Sequence, residues 1–300
     1  MTDAGLTRRT LLTGAAGAAV VLGGGAVLGK HELNVHPSLR ERLFGCGSTP
    51  PVPHDTQHQI LTHTIQSKAM GRSMPFTVAL PDAVAFGPDL GSRTSLILAL
   101  PGEGGSATSI TQHLGLQAFA TAGGLPACVV SPGDVRSSYY HPRTDGTDVL
   151  AFLVDELVPH VEQSFPVGGS RDRRGLYGYS MGGFGALLIA QRRPEMFCAA
   201  AAASPAVFPS YSAAITGHSG TFDSQTDWDV NGVWQHLSSM GAVPIRIDCG
   251  NEDPFVATAR QLISKIPGAV GQIGSGCHDV GFWRRAAPAD IVFLKNQLSS

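Results

Sequence analysis

The stretch Gly178-Tyr179-Ser180-Met181-Gly182-Gly183-Phe184-Gly185-Ala186 decides how this chain is read. It follows an apolar run, Gly175-Leu176-Tyr177, that reads as a short strand, and it leads into a helix. A serine between glycines at such a junction is the G-x-S-x-G pattern of a nucleophile elbow. The turn is so tight that side chains two positions either side of the serine would clash with its backbone, and glycine has no Cβ to clash. The same turn lifts the hydroxyl clear of the sheet and aims the following N–H groups at a bound molecule. A glycine-rich turn without chemistry fits the bare pattern equally well, so the rest of the chain has to decide.

With 43% hydrophobic and 15% charged residues, the 300-residue chain has the composition of a globular protein with a large core. Its net charge of −2 comes from interspersed acids and bases. No basic stripe is present to neutralise phosphates, which argues against a nucleic-acid partner. At the N-terminus, Thr7-Arg8-Arg9-Thr10-Leu11-Leu12 is a twin-arginine pattern, and residues 11–29 carry no charge. A basic segment ahead of an apolar one is an export signal, here of the Tat type, which carries folded cargo. No Ala-x-Ala precedes Lys30, and the uncharged run is long enough to span a bilayer, so retention as a membrane anchor is an alternative to cleavage. Leu43-Phe44-Gly45-Cys46 resembles a lipoprotein processing site, but it lies beyond a charged segment rather than at the end of the apolar one.

The expected organisation is a signal or anchor over 1–29, a polar, proline-bearing linker over 30–58 and a catalytic domain over 59–300. Strands are expected at 60–65 and 75–80, paired antiparallel, then at 95–100, 127–131, 175–177, 198–203, 244–249 and 268–273. The apolar stripe Leu150, Leu153, Val154, Leu157, Val158, Val161 predicts a helix over 147–165, kinked at Pro159. Further helices are expected after the elbow, at 256–266 and at 290–298. Alternating β and α elements imply a mostly parallel sheet covered on both faces. Eight strands with the serine after the fifth give the α/β-hydrolase fold. The segment 205–239 is long for a connection and reads as a lid-like insertion. Its Phe208, Tyr211, Phe222, Trp228 and Trp234 suit either an acyl channel or packing of the lid itself.

A serine hydroxyl needs a base, and in this fold the partners follow in the order serine, acid, histidine. His278, in the loop Gly274-Ser275-Gly276-Cys277-His278-Asp279 after the last strand, is the candidate base. His218 and His236 lie in the insertion instead. In Asp248-Cys249-Gly250-Asn251-Glu252-Asp253, after the penultimate strand, Asp253 is the candidate acid, with Glu252 next and Asp248 structural. Asp253 ahead of Pro254 also suits a helix N-cap. Oxyanion donors are expected from the backbones of Met181 and Glu103, the latter in Leu100-Pro101-Gly102-Glu103-Gly104-Gly105. The Glu103 carboxylate would have to point away from the developing negative charge. The five cysteines show no metal spacing; Cys128, Cys198 and Cys249 fall in the expected strands as buried small hydrophobes, and Cys277 adjoins the candidate base.

The elbow, Arg193-Pro194-Glu195-Met196-Phe197 ahead of an alanine-rich strand, Glu156-Leu157-Val158-Pro159-His160-Val161-Glu162, the Cys249 to Asp253 loop and Gly276-Cys277-His278 before Phe282-Trp283 together resemble the esterase D family, which includes the antigen 85 mycolyltransferases. The resemblance covers residue 59 onward and implies a Ser180, Asp253, His278 triad with ester-type substrates. It implies no cofactor or metal. Mycolyltransferases carry an acidic residue and an arginine around the oxyanion loop for a sugar acceptor, and Pro101-Gly102-Glu103-Gly104 departs from that pattern. Cytosolic thioester hydrolases also belong to the family, and an export signal argues against that role. The expectation is therefore an exported serine carboxylesterase acting on a small-molecule acyl ester or lipid. Transfer of an acyl or mycolyl chain to a sugar such as trehalose is the alternative, and an inactive envelope binding protein a second. Nothing in the sequence sets the oligomeric state.

Overall fold

The computed structural model describes residues 45–54, 59–81 and 94–298. The expected export signal over 1–29 lies outside the described residues, as does most of the expected linker. By compactness the chain forms two units, Met1–Gly45 and Cys46–Ser300, and every strand and helix named below belongs to the second.

Eight strands form one sheet in the order β1-β2-β4-β3-β5-β6-β7-β8. They are β1 (Ile60–Ser67), β2 (Arg72–Ala79), β3 (Ser95–Leu100), β4 (Ala127–Pro132), β5 (Arg174–Tyr179), β6 (Ala199–Ala203), β7 (Ile245–Gly250) and β8 (Val270–Gly274). The antiparallel pairs are β1 with β2 and β2 with β4; from β4 to β8 all neighbours run parallel. This is the expected eight-stranded α/β-hydrolase sheet, with Ser180 directly after the fifth strand.

The helices are α1 (Leu116–Ala122), α2 (Val158–Ser164), α3 (Met181–Arg192), α4 (Tyr211–Gly217), α5 (Gln225–Asn231), α6 (Val256–Lys265) and α7 (Val280–Gln297). Strand alternation builds a core on each face of the sheet. Leu96, Leu98 and Leu100 of β3, with Ala200 and Ala202 of β6, pack with α2, α3 and Leu262 of α6. Ile97 and Ala99, with Ala199, Ala201 and Ala203, face α1 and the Ala287, Ile291, Leu294 stripe of α7. The central strand β6 is entirely alanine, so α3 on one side and α7 on the other lie close to the backbone.

Two helices differ from expectation. The run over 149–164 stays helical through Pro159, because a π-helical turn (Phe152–Leu157) precedes it and the proline falls in the first turn of α2. There its missing N–H costs little. The last helix begins at Val280, ten residues before the expected 290, because the Asp279 carboxylate caps it by accepting the Phe282 N–H at 2.8 Å. Pro288 is carried inside that helix.

Candidate active site

Ser180 follows β5 and stands at the N-cap of α3 at φ 56°, ψ −123°, a positive-φ conformation rare for a residue with a side chain. Both sides of the turn are fixed: the Ser180 N–H donates to the Ala203 carbonyl at 3.0 Å, and its own carbonyl accepts from Ala206 N–H at 3.0 Å. The flanking glycines are needed for a reason different from the expected clash with the serine backbone. A Cβ on Gly178 would overlap the Gly182 carbonyl, and one on Gly182 would overlap the Leu100 carbonyl of β3. The elbow therefore packs against itself and against the neighbouring strand.

The structure brings the candidate base and acid to this serine. His278 Nε2 lies 2.8 Å from Ser180 Oγ, and His278 Nδ1 lies 2.8 Å from Asp253 Oδ2. Asp253 is fully buried, and its second oxygen accepts the Phe255 N–H at 2.8 Å, so one oxygen orients the ring while the other fixes the turn ahead of α6; Phe255, not Asp253, is the N-cap of that helix, which has no side-chain cap. The loops that carry the two residues are stitched together: the Glu252 N–H donates to Gly276 O at 2.9 Å and the Gly276 N–H to Asn251 Oδ1 at 3.0 Å. Asp248 is held in the strand by Arg246 and by the Gln272 N–H, as a structural carboxylate. His236 lies away from the site, with Nε2 3.2 Å from Asp229 O.

The loop after β3 comes close to the elbow: a Cβ on Gly102 would lie 3.3 Å from the Ser180 Cβ. Met181 is the first residue of α3, so its N–H has no acceptor within the helix. The Glu103 carboxylate has partners of its own, Nε2 of His218 at 2.6 Å and the Ser137 hydroxyl. Sequence reasoning placed His218 in the lid and gave it no role. It also missed Tyr140, whose buried hydroxyl donates to Pro101 O at 2.7 Å and fixes the start of this loop. The segment from 134 to 140 supplies four of the six non-glycine residues with positive φ among those described. Such unfavourable backbone persists where surrounding contacts enforce it.

An aromatic wall runs from the lid to the base. Tyr139 meets Phe184, Phe208 and Phe222 at centroid separations of 5.5 to 6.4 Å; Phe208 meets Phe255, and Phe255 lies 5.4 Å from His278. Trp283 stacks on Tyr179 and meets the other side of His278 edge-on. Burial pushes the Tyr139 hydroxyl up to about 12, against a hydrogen bond with Thr221 and with a further push from the Glu103 charge. Of the five lid aromatics, Phe208 and Phe222 join this wall, whereas Tyr211, Trp228 and Trp234 pack against the main core.

Cys46 and Cys277 form a disulfide, so the Cys46 sulfur is committed within the chain rather than to a lipid. With Asp279 they make up a three-residue grouping of metal-ligating types found among the described residues, but sulfurs bonded to each other are not thiolate ligands. No helix among the described residues is long and apolar enough to cross a membrane.

Comparison with known proteins agrees with this architecture. Residues 67–266 match the model of the Esterase family, described as "Putative esterase". A ferulic acid esterase superposes with a TM-score of 0.69 at 20% identity, covering 82% of this chain and 100% of its own. An S-formylglutathione hydrolase from Agrobacterium tumefaciens gives 0.68 at 18%, covering 82% and 98%. MPT51 of Mycobacterium tuberculosis gives 0.62 at 15%, covering 81% and 100%. The family match spans two-thirds of the chain and includes the elbow, and the sheet order is that of the α/β-hydrolases. The chain thus belongs to the Esterase family, as a serine hydrolase acting on carboxylic esters.

Proposed function

We propose that this protein is an exported carboxylesterase that hydrolyses lipid-type acyl esters through an acyl-enzyme on Ser180. The observation that carries the reading is the unbroken relay from Ser180 Oγ through both nitrogens of His278 to Asp253, each step 2.8 Å. In this mechanism His278 Nε2 takes the hydroxyl proton as Oγ attacks the ester carbonyl. The Met181 and Glu103 N–H groups receive the resulting oxyanion. The tetrahedral species collapses, His278 passes its proton to the departing alcohol, and a water repeats the sequence to free the acid. Asp253 holds the Nδ1–H tautomer and stabilises the imidazolium without taking its proton. The apolar wall of Tyr139, Phe208 and Phe255 supports an acyl chain as the part bound beside the serine. The twin-arginine leader over 1–29 supports delivery to the cell envelope.

A fluorophosphonate probe should label wild-type protein at Ser180 and leave Ser180→Ala unlabelled; equal labelling of the two would sink the reading. Ser180→Ala and His278→Ala should each lower kcat by about 10⁶, and loss of the Asp253 carboxylate by about 10⁴. Rates across p-nitrophenyl esters should rise with acyl length to an optimum beyond acetate. Hydrolysis with trehalose present should yield free acid; acylated sugar would replace hydrolysis by transfer. Fractionation of cells expressing the full chain, with Arg8 and Arg9 changed to lysine as the control, tests export.

A further inference from the structure

The mechanism uses neither cysteine of the disulfide, yet Cys277 is the residue before His278. Its partner Cys46 stands 231 positions earlier in sequence and 5.0 Å away between Cα atoms. From Cys46 the chain runs as a strap along α7. Arg285 of that helix donates to the carbonyls of Cys46 at 2.8 Å and Ser48 at 2.6 Å. The same guanidinium reaches Ser275 O at 3.4 Å, in the loop that carries His278. Arg284 holds Pro50 O at 3.1 Å and also the His113 carbonyl. Thr49 lies against Gly281, and Val52 against Gly115 at the start of α1.

Beside the strap lies a hollow of about 400 Å³, lined by Gly47, Ser48, Gln272, Ser275, Phe282 and Arg285. The start of the strap is therefore held by its covalent end and two arginines more than by close packing. The loop it grips, Gly274-Ser275-Gly276 ahead of Cys277, has its backbone tied to the acid loop through Gly274 O and both polar groups of Gly276. Beyond His278 the chain is fixed by the Asp279 cap of α7. On the other side the disulfide adds a covalent constraint to those hydrogen bonds, at the residue directly before the base.

We propose that the Cys46–Cys277 disulfide positions the His278 imidazole, so that the acylation chemistry is under thiol-reversible control. The proposal rests on the serine-esterase reading above and extends it from the triad to a positioning pair outside it. Reduction by a dithiol proceeds through two exchanges: two electrons and two protons pass to the protein, Cys46 and Cys277 become thiols, and the reductant closes to its own disulfide. The other cysteines compete poorly. Burial pushes the Cys128 thiol up to about 12 and Cys198 to about 11, and Cys249 is pushed higher still by burial and by the Asp253 charge. Little thiolate is then available at any of them. For an exported enzyme, the reducing cytosol would hold the strap open and the oxidising exterior would close it.

The test is the rate of fluorophosphonate labelling of Ser180, on the full chain before and after dithiol treatment and on Cys46→Ser. Alkylation should count five thiols after full reduction in denaturant and three before it. Selective opening of the strap in the folded protein should slow labelling by about tenfold or more. With an ester, kcat should carry the loss while KM changes by less than about twofold. Cys46→Ser should reproduce the reduced state and be indifferent to dithiol, and reoxidation should restore the wild-type rate. A melting curve confirms that each sample is folded at the assay temperature. Equal rates in both states would overturn the positioning role and leave the esterase reading standing. Absence of labelling in the oxidised protein would overturn both.

Discussion

Ser180 owes its reactivity to what its neighbours lack. Gly178 and Gly182 are demanded by collisions with backbone carbonyls, which cannot move aside as a flexible side chain would. Gly146 differs: it has φ 88° and open space where a Cβ would stand, so only its left-handed backbone resists substitution. Gly182→Ala should therefore cost more than about 4 kcal/mol, at the level of non-folding for a marginally stable domain, and Gly146→Ala about 1 kcal/mol. Thermal melts of the two variants beside wild type check this, and a folded, active Gly182→Ala would refute the packing account. Ser180, His278 and Asp253 could be picked from the chain because chemistry restricts residue type and fold restricts order. The reason for the glycines was only half visible, since the carbonyl that excludes a side chain at 182 belongs to Leu100, in a strand beside β5 in the sheet but two strands earlier in sequence.

At the scale of elements, the lid and the oxyanion loop meet where His218 contacts Glu103. Glu103 stands where an acid should oppose the developing negative charge, and the 2.6 Å contact with His218 turns its carboxylate aside. His218→Ala should lower kcat by roughly 3- to 10-fold by freeing that charge. Glu103→Leu combined with His218→Ala should recover most of the loss, because the Glu103 N–H is a backbone group and survives the change. Steady-state kinetics on one p-nitrophenyl ester decide it; a double variant no better than His218→Ala would reject the explanation. This contact was hidden from sequence reasoning because it pairs positions 103 and 218 across a lid whose course no periodicity predicts. The strands were legible for the opposite reason: buried parallel strands such as Ser95 to Leu100 are continuous apolar runs. The start of α7 was missed because its capping aspartate follows the base so closely that the segment read as loop.

Across the whole molecule, the sheet separates two cores, and one carboxyl pair is buried between sheet and helix. Asp290 of α7 and Asp248 of β7 are both fully buried and share the Arg246 guanidinium, with Asp290 3.3 Å from Arg246 Nε. Burial, and then the Asp248 charge, hold the Asp290 carboxyl well above the usual range. A carboxyl with a raised folded pKa binds its proton more tightly in the native state. Its contribution to stability is complete below about pH 4 and declines as pH rises toward the folded pKa. Asp290→Asn, neutral at every pH, should raise Tm near pH 7 and change it little near pH 4, with about 1.4 kcal/mol for each unit of elevation removed. A Tm change of equal size at both pH values would contradict this.

The Cys46–Cys277 bond also makes the domain a covalent ring, because its 231-residue separation encloses every strand of the sheet. By the chain-entropy model, closing a ring of that size penalises the unfolded ensemble by about 5 kcal/mol. A ring can be cut once without falling apart. An enzyme nicked by a protease anywhere between those two cysteines would keep both pieces joined, run as one molecule on a non-reducing gel, and separate only when a thiol is added.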